Sequence, residues 1–227
     1  MLVYCNRSFH GLKAVIFDMD GTIIDSIDLY YAVIKDVMGR LGMDTALTRQ
    51  VLSEGMSQGK RLADIIFPSG LEDRERAVED FRTLSTNAYK QIFSKGEVEL
   101  IDGVDGLLED LRLRGFSLAI VTSSLSEVVV PFLKARNLDS FFACVLGQTE
   151  VSRLKPHPDP LLRCAEILGI TPCESVYVGD SIIDIRAGKA AGSATIGVLT
   201  GASDLDLLMG EAPDAILDSV GDLPAVL

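Results

Sequence analysis

The chain is poor in positive charge. Its 227 residues include 21 lysines and arginines against 33 aspartates and glutamates, a formal net charge of −12 with histidine neutral. Nucleic-acid phosphates and anionic membrane surfaces are both bound by clustered lysine and arginine. The charge balance therefore predicts that neither nucleic acid nor a membrane is a partner. An anionic substrate would have to be attracted locally, by a metal ion or by a few placed cations.

Cysteine is sparse, and long apolar runs are missing. The cysteines at positions 5, 144, 164 and 173 are scattered and form no C-x-x-C pair, which is typical of reduced thiols rather than of a disulfide framework. No stretch approaches the roughly 18 apolar residues of a transmembrane helix, and residues 1–11 lack the apolar centre of a signal peptide. These features predict a soluble protein of the cytoplasm.

The order of the predicted elements indicates an α/β fold with one helical insertion. Residues 13–20 form the first predicted strand, and after about Asp25 the apolar spacing is helical up to residue 93. Further on, short apolar strands alternate with helices, which predicts a Rossmann-like, doubly wound parallel sheet with helices on both faces. We expect a core of residues 1–23 plus 99–227 and an inserted, all-helical cap domain at 24–98. Such a cap on short hinges can exclude water from a site beneath it.

Asp18 and Asp20 directly follow the apolar strand residues 14–17. Because side chains alternate along a strand, the two carboxylates are expected to leave the end of the sheet on the same side, a few ångströms apart. Two carboxylates that close repel each other, and a protein keeps them mainly where a cation or a shared proton compensates. A polar turn after the strand is the alternative interpretation, since Asp and Gly are common turn residues.

Two further strand ends carry polar groups. Thr122, Ser123 and Ser124 follow the strand at 117–121, and hydroxyls with backbone N–H groups ahead of a helix suit an anion. Capping of the next helix by Ser124 or Ser126 is the alternative. Lys155 lies in a segment stiffened by two prolines, although a loop lysine is usually only solvated.

A fourth strand end adds two more carboxylates. Asp180 follows the strand at 175–178, and Asp184 comes one helical turn later. Helix capping and the helix dipole are alternative reasons for aspartates there. In a parallel sheet, however, the carboxyl ends of these strands meet at one edge, where ligands bind. Carboxylates with open water positions suit octahedral Mg²⁺, so the sequence predicts a magnesium site.

Taken in order, these residues resemble the four-motif signature of the haloacid dehalogenase (HAD) superfamily. The matching segments are Asp18-x-Asp20-Gly21-Thr22 with Asp25-Ser26, then Thr122, Lys155, and Gly179-Asp180-Ser181-x-x-Asp184. The helical insertion after the first motif is similar to the C1-type cap of the phosphoglycolate phosphatase-like branch. The resemblance implies a Mg²⁺-dependent phosphatase that acts on a small phosphorylated metabolite, with 2-phosphoglycolate as the preferred candidate.

The resemblance also implies a role for each motif residue. Asp18 would be the nucleophile that forms an aspartyl-phosphate, and Asp20 would protonate the leaving oxygen and then activate water. Thr122 and Lys155, with Ser123 beside them, would hold the transferring phosphoryl group. Mg²⁺ would be bound by Asp18, the backbone carbonyl of Asp20 and Asp180, with Asp184 ligating or orienting. These roles suit phosphoryl transfer, which mostly needs positioning and charge neutralisation.

Alternatives remain within and outside this superfamily. Metal-free dehalogenases lack an acid two positions after the nucleophile, so Asp20 favours phosphoryl chemistry. A β-phosphoglucomutase-like enzyme typically carries a histidine near the position of Tyr30, and neither histidine of this chain lies there. A pyrophosphatase stays open. A binding protein on the same fold would be expected to lack the nucleophile or a metal ligand. The sequence leaves the choice between monomer and homodimer open.

The segment Gly55-Met56-Ser57-Gln58-Gly59 matches G-x-S-x-G, the nucleophile elbow of α/β-hydrolases. That elbow needs a preceding strand, and the preceding residues here have a helical pattern. We interpret the segment instead as a cap loop that faces the site, with Gly55, Ser57 and Lys60 as candidate substrate contacts. A plain turn between two helices is the alternative.

Overall fold

A seven-stranded sheet forms the centre of the fold. The computed structural model of the chain describes residues 1–6, 8–43, 47–57, 62–95 and 98–227. Its strands are β1 (Leu2–Cys5), β2 (Ala14–Phe17), β3 (Ile24–Asp25), β4 (Glu99–Leu100), β5 (Ser117–Val121), β6 (Phe142–Leu146), β7 (Ser175–Gly179), β8 (Ala194–Val198) and β9 (Ala215–Leu217). The order in the large sheet is β1-β9-β8-β7-β2-β5-β6, and every pair is parallel except β1 with β9. The predicted α/β fold with a mainly parallel sheet is confirmed.

Helices cover both faces of this sheet. Their bounds are α1 (Ile27–Arg40), α2 (Arg49–Ser57), α3 (Leu62–Ile66), α4 (Arg74–Lys95), α5 (Val104–Leu113), α6 (Ser126–Ala135), α7 (Asp159–Leu168), α8 (Ile182–Ala191) and α9 (Leu205–Gly210), with short 3₁₀ helices at Asp139–Phe141, Pro172–Glu174 and Val220–Ala225. Strand β2 shows why both faces are buried. Val15 and Phe17 join one apolar cluster and Ile16 joins another on the opposite face. A strand packed on both faces is apolar at every position.

Helices α1 to α4 lie between β3 and β4, where the sequence predicts the insertion. The two connections run side by side, because β3 pairs antiparallel with β4 and the Ile101 N–H donates to the Ile23 carbonyl at 2.9 Å. These helices share an apolar cluster of their own that includes Phe67 and Phe81, whose rings meet edge to face at 5.5 Å. Phe93 of α4 packs against Phe132 of α6, with ring centroids 5.3 Å apart. The inserted helices therefore pack directly against α6, one of the helices that cover the sheet.

The predicted cap loop at Gly55-Met56-Ser57 is wrong, because these residues form the last part of α2. Gly55 is buried, and a Cβ there would lie 2.6 Å from Ile65 Cδ1. The glycine therefore allows α3 to pack closely on α2, and it does not mark a turn. The serine-hydrolase alternative also fails here, since its nucleophile must follow a strand. Lys60 lies outside the described residues.

The sequence did not predict two strands on one outer side of the sheet, β1 and β9. β1 and β9 pair antiparallel beyond β8, and residues of β1 are largely exposed. The first predicted strand is also shorter than expected, since β2 ends at Phe17 and residues 18–20 lie beyond it.

Among the described residues, no helix combines the length and the apolar character needed to cross a membrane.

Candidate active site

Three neighbouring strands bring the predicted residues to one edge of the sheet. β2 lies between β5 and β7, and the residues that follow these strands are Asp18, Thr122 and Asp180. The backbone continues the ladder for one residue past each of two strands. The Asp18 N–H donates to the Val178 carbonyl at 2.8 Å, and the Thr122 N–H donates to the Leu146 carbonyl at 2.9 Å. The positions of these side chains are therefore determined by the sheet rather than by a free loop.

Three buried carboxylates meet at this edge. Asp18, Asp180 and Asp184 each offer an oxygen, and these oxygens all lie within 4.8 Å of one another. Asp180 and Asp184 come from the end of β7 and the first turn of α8, whereas Asp18 follows β2. Like charges this close in a buried site are unfavourable unless a cation offsets them. The three carboxylates therefore form a site that attracts a cation.

Lys155 is the cation that the protein itself supplies. Its ammonium is buried and lies 2.6 Å from Asp184 Oδ1 and 2.9 Å from Asp18 Oδ1. It also donates to the Tyr177 hydroxyl at 2.9 Å. The contact with Asp18 is an ion pair that leaves Oδ1 of Asp18 without a well-directed hydrogen bond. Lys155 is thus held between two of the three carboxylates.

The pKa values of these groups show that the cluster carries more negative charge than Lys155 can offset. Burial raises the pKa of Asp18 to about 7, and the charge of Asp184 adds to this while Lys155 opposes it. Burial and then the charges of Asp184 and Asp18 raise the pKa of Asp180 well above its ordinary value. Burial alone would lower the pKa of Lys155, but Asp18 and Asp184 outweigh that and raise it. The lysine stays charged, and the carboxylates still lack a further cation.

Asp184 has a structural contact as well as a site contact. Its Oδ2 accepts hydrogen bonds from the Ser181 backbone N–H, at 3.0 Å, and from the Ser181 hydroxyl, which forms a capping box at the start of α8. Its Oδ1 faces Lys155. Asp184 therefore serves both predicted purposes. Its Oδ2 caps α8, and its Oδ1 belongs to the site.

Glycines leave room for the carboxylate of Asp180. A Cβ at Gly201 would lie 1.9 Å from Asp180 Oδ2, and a Cβ at Gly21 would lie 2.8 Å from the same atom. Gly21 also has a φ of 71°, a left-handed conformation that favours glycine. The Ala202 N–H donates to Asp180 Oδ2 at 2.6 Å. The turn after β8 therefore packs directly on this acid, which the sequence did not indicate.

The Asp20 carboxylate lies apart from the cluster and is held by two serines. Ser26 donates to Oδ1 at 2.6 Å, and Ser124 donates to Oδ2 at 2.6 Å. The alternative interpretation of Ser124 as a cap of the next helix is therefore wrong for its side chain. Ser26 occupies the N-cap position of α1 without a side-chain capping bond, and the N-cap residue of α6 is Leu125.

The remaining candidates differ in their surroundings. Thr122 is buried, and its hydroxyl accepts the Ser124 N–H at 3.0 Å, which closes a tight turn at the strand end. Ser123, between them, is exposed. In the cap, Gly55 and Ser57 belong to α2 as described above. A role for any of these residues in substrate binding stays a prediction.

Sequence reasoning missed Tyr177, a fully buried residue of β7. Its hydroxyl accepts from Lys155 and lies 2.8 Å from the Val121 carbonyl and 3.1 Å from Asp184 Oδ1. Burial, followed by the charges of Asp184 and Asp18, raises the pKa of this phenol well above its ordinary value, so the hydroxyl keeps its proton. A tyrosine inside an apolar strand was the available signal, because a buried hydroxyl requires a partner.

A divalent cation fits this set of donors. Three buried carboxylates against one ammonium leave an excess of negative charge, and Asp18 Oδ1 is a buried oxygen that still lacks a directed hydrogen bond. Oxygen ligands alone, without cysteine or histidine, suit hard cations rather than soft transition metals. The donor chemistry therefore supports a divalent metal site beside the cluster of Asp18, Asp180 and Asp184.

The carboxyl edge of the sheet carries a buried acidic cluster and an ion-paired lysine, and such clusters of perturbed ionisable groups are typical of enzyme active sites. The comparisons define which kind. The chain belongs to the haloacid dehalogenase-like hydrolases, whose family profile matches residues 15–198. The resemblance in the motifs is confirmed.

Similar proteins refine this class. The chain is 32% identical over 240 aligned residues to the phosphoglycolate phosphatase of Escherichia coli (strain K12), with 96% of this chain and 93% of the relative covered. A solved hydrolase from Pseudomonas syringae has a TM-score of 0.81 at 26% identity, covering 94% and 96% of the two chains. A predicted phosphoglycolate phosphatase from Haemophilus somnus 129pt has a TM-score of 0.76 at 26% identity, covering 95% and 98%. These relatives confirm the predicted class of enzyme, a phosphoric monoester hydrolase.

Proposed function

We propose that this protein is a Mg²⁺-dependent phosphatase that hydrolyses a small phosphate monoester through an aspartyl-phosphate on Asp18. The observation that carries the proposal is the convergence of Asp18, Asp180, Asp184 and Lys155 at the carboxyl edge of the sheet. The preferred substrate is 2-phosphoglycolate, because the relatives that align along nearly the whole chain are phosphoglycolate phosphatases.

The proposed reaction has two displacements. An Asp18 oxygen forms the bond to phosphorus while the bond to the ester oxygen breaks, and Asp20 gives that oxygen a proton. Water then attacks the phosphorus, Asp20 takes a proton from it, and the Asp18–phosphate bond breaks to release inorganic phosphate. Using a carboxylate nucleophile divides one difficult hydrolysis into two easier steps, and one acid can serve both as proton donor and as acceptor.

The other residues stabilise charge. Lys155, already oriented by Asp184 and Tyr177, would neutralise phosphoryl oxygens, with Thr122 at the neighbouring strand end. When bound by Asp18, the Asp20 carbonyl and Asp180, Mg²⁺ would neutralise the developing oxygen charge. Asp184 holds Lys155, which supports an orienting role for it rather than a role as a metal ligand.

Residues 24–98 are proposed to form the cap domain and the remainder the core, in a cytoplasmic enzyme that is a monomer or a homodimer.

A phosphate-release screen tests this function. We expect release from small esters with Mg²⁺, loss of release in EDTA, and recovery when Mg²⁺ is restored, with kcat/KM highest for 2-phosphoglycolate. Asp18→Asn should lower kcat by about 10³-fold or more, because it removes the nucleophile. Absence of turnover across the whole panel would refute the enzyme assignment. Full turnover by the Asp18→Asn variant would refute the role of Asp18 alone.

A further inference from the structure

Both carboxylate oxygens of Asp20 are occupied by serine hydroxyls from different parts of the chain. Ser26 stands at the start of the helical insertion and donates to Oδ1, whereas Ser124 follows β5 and donates to Oδ2, each at 2.6 Å. Contacts of this length to an ionised carboxylate are charge-assisted and stronger than neutral hydrogen bonds. The orientation of Asp20 is therefore fixed from two sides.

Ser26 makes this contact instead of its usual local one. A serine at the N-cap position typically accepts a backbone N–H of the first helical turn, which contributes about 1 kcal/mol. Ser26 has that position in α1, but its side chain makes no capping bond. The sequence therefore places a serine where its hydroxyl could stabilise a helix, and the fold uses that hydroxyl for Asp20.

Ser124 is held firmly by its backbone. Its N–H donates to Thr122 Oγ1 at 3.0 Å, and its carbonyl accepts the Gln148 N–H at 3.1 Å. The loops after β5 and β6 thus fix the residue from both directions. Its side chain is consequently aimed at Asp20 by rigid core elements.

The two serines leave room for a further contact on Asp20. Each carboxylate oxygen has two lone-pair sites, and each serine hydroxyl occupies one of them. The remaining sites stay available for the proton that Asp20 is proposed to transfer.

We propose that Ser124, together with Ser26, positions Asp20 so that its proton reaches the leaving oxygen of the substrate. Both serines are positioning residues that act through Asp20, and the inference rests on the proposed acid–base role of that residue. Small misplacements of a catalytic group cost on the order of 10²-fold in rate. The loss should appear only with substrates whose leaving group needs the proton.

The test compares two esters in the Ser124→Ala variant. An alkyl phosphate, 2-phosphoglycolate or the best alkyl ester of the panel, leaves as a strongly basic alkoxide and needs protonation. p-Nitrophenyl phosphate releases a stable phenolate and does not. We expect kcat/KM for the alkyl ester to fall about 10- to 100-fold, mostly through kcat, and kcat/KM for p-nitrophenyl phosphate to change by less than about 3-fold. Ser26→Ala should show the same selectivity, and Ser124→Thr should recover most of the alkyl-ester rate.

Ser126→Ala is the matched control, because Ser126 lies two residues further on, at the start of α6, and its hydroxyl donates to Glu150 Oε1 at the same 2.6 Å. Glu150 has no role in the proposed reaction. This variant should leave both esters unaffected. Equal losses on both esters in Ser124→Ala, or no loss on either, would overturn the positioning role. Asp20→Asn separates the two levels of inference. A selective loss in Asp20→Asn but not in Ser124→Ala refutes only the serine proposal, whereas no selective loss in Asp20→Asn refutes the acid–base role itself.

Discussion

At the level of single residues, Tyr177 joins the lysine of the site to the sheet. Its neighbours Val176 and Val178 point into one apolar cluster and Tyr177 into the other, beside β5. The phenol reaches Lys155, Asp184 and the Val121 carbonyl from there. One buried hydroxyl thus supports the orientation of Lys155, although the strand residues on either side of it, Val176 and Val178, supply only apolar packing.

Tyr177→Phe should weaken both the fold and the activity. Removing the hydroxyl takes away the acceptor for Lys155 and a donor at the Val121 carbonyl, which should lower the free energy of unfolding by about 1–3 kcal/mol. We expect kcat to fall several-fold because Lys155 loses one of its three contacts. Urea denaturation and steady-state kinetics measure the two effects. Tyr4→Phe, on the far edge strand β1, controls for the substitution itself, and unchanged values in both assays for Tyr177→Phe would contradict the prediction.

At the level of elements, two glycines within helices have opposite environments. A Cβ at Gly188 of α8 would lie 2.5 Å from Thr195 Cγ2 of β8, whereas a Cβ at Gly106 of α5 would meet nothing within 4 Å. The first glycine is required by the close approach of a helix to the sheet. No close contact requires the second glycine, and it weakens its helix because glycine has a low helix propensity.

Alanine at these two positions should therefore shift stability in opposite directions. Gly106→Ala should raise the free energy of unfolding by up to about 1 kcal/mol, since alanine favours the helix. Gly188→Ala gains the same propensity but should lose about 1–3 kcal/mol through overpacking against β8. Chemical denaturation of the two variants beside the unaltered chain measures both. Shifts of the same sign would contradict the packing argument.

The 3₁₀ helix before β7 contains Glu174, a surface carboxylate whose pKa is lowered by its neighbours. A hydrogen bond from Lys13, followed by those from Thr171, lowers the pKa of Glu174 from 4.5 to about 2. Because this pKa is lower in the folded chain than in the unfolded chain, the carboxylate adds stability above about pH 4.5 and loses that contribution as the pH falls towards 2.

Glu174→Gln tests that window. The difference in urea midpoint between the unaltered chain and the variant should be constant near neutral pH and should shrink below about pH 4.5. Glu72→Gln, at an exposed position ahead of α4, removes the same charge and serves as the control. A difference for Glu174→Gln that persists unchanged to pH 2.5 would show that its ionised form contributes nothing.

At the level of the whole molecule, the sequence predicts the sheet and its edge better than the contacts around them. The strands at 14–17, 117–121 and 175–179 are largely apolar runs followed by polar residues, so their type and approximate position are readable, although the first was predicted to extend to residue 20. β1 was missed because a short, exposed edge strand has no such pattern. β9 is buried, but it has only three residues, too few to show a strand pattern. Gly55 was misinterpreted as part of a turn. A glycine is needed there because Ile65 of α3 packs against it, and such a tertiary contact leaves no local pattern in the sequence.

The same distinction applies to the site. Asp18, Lys155, Asp180 and Asp184 were predicted to converge because sheet topology brings strand ends together, and they do. The serines that hold Asp20 were not predicted, because capping is the usual local use of a serine before a helix. Contacts between residues 20 and 124 or between residues 180 and 201 depend on loops from distant parts of the chain, and no local pattern encodes them.

The origin of the three clustered carboxylates has a consequence for how the chain folds. Asp18 follows β2, and the other two follow β7, strands that pair side by side although most of the chain separates them. Closing so long a loop in parallel register is slow and comes late, so the acidic cluster exists only once the sheet is essentially complete. A divalent cation that binds the cluster stabilises the native state alone. We therefore expect the ion to prolong the lifetime of the folded protein by slowing unfolding, while leaving the rate of folding almost unchanged.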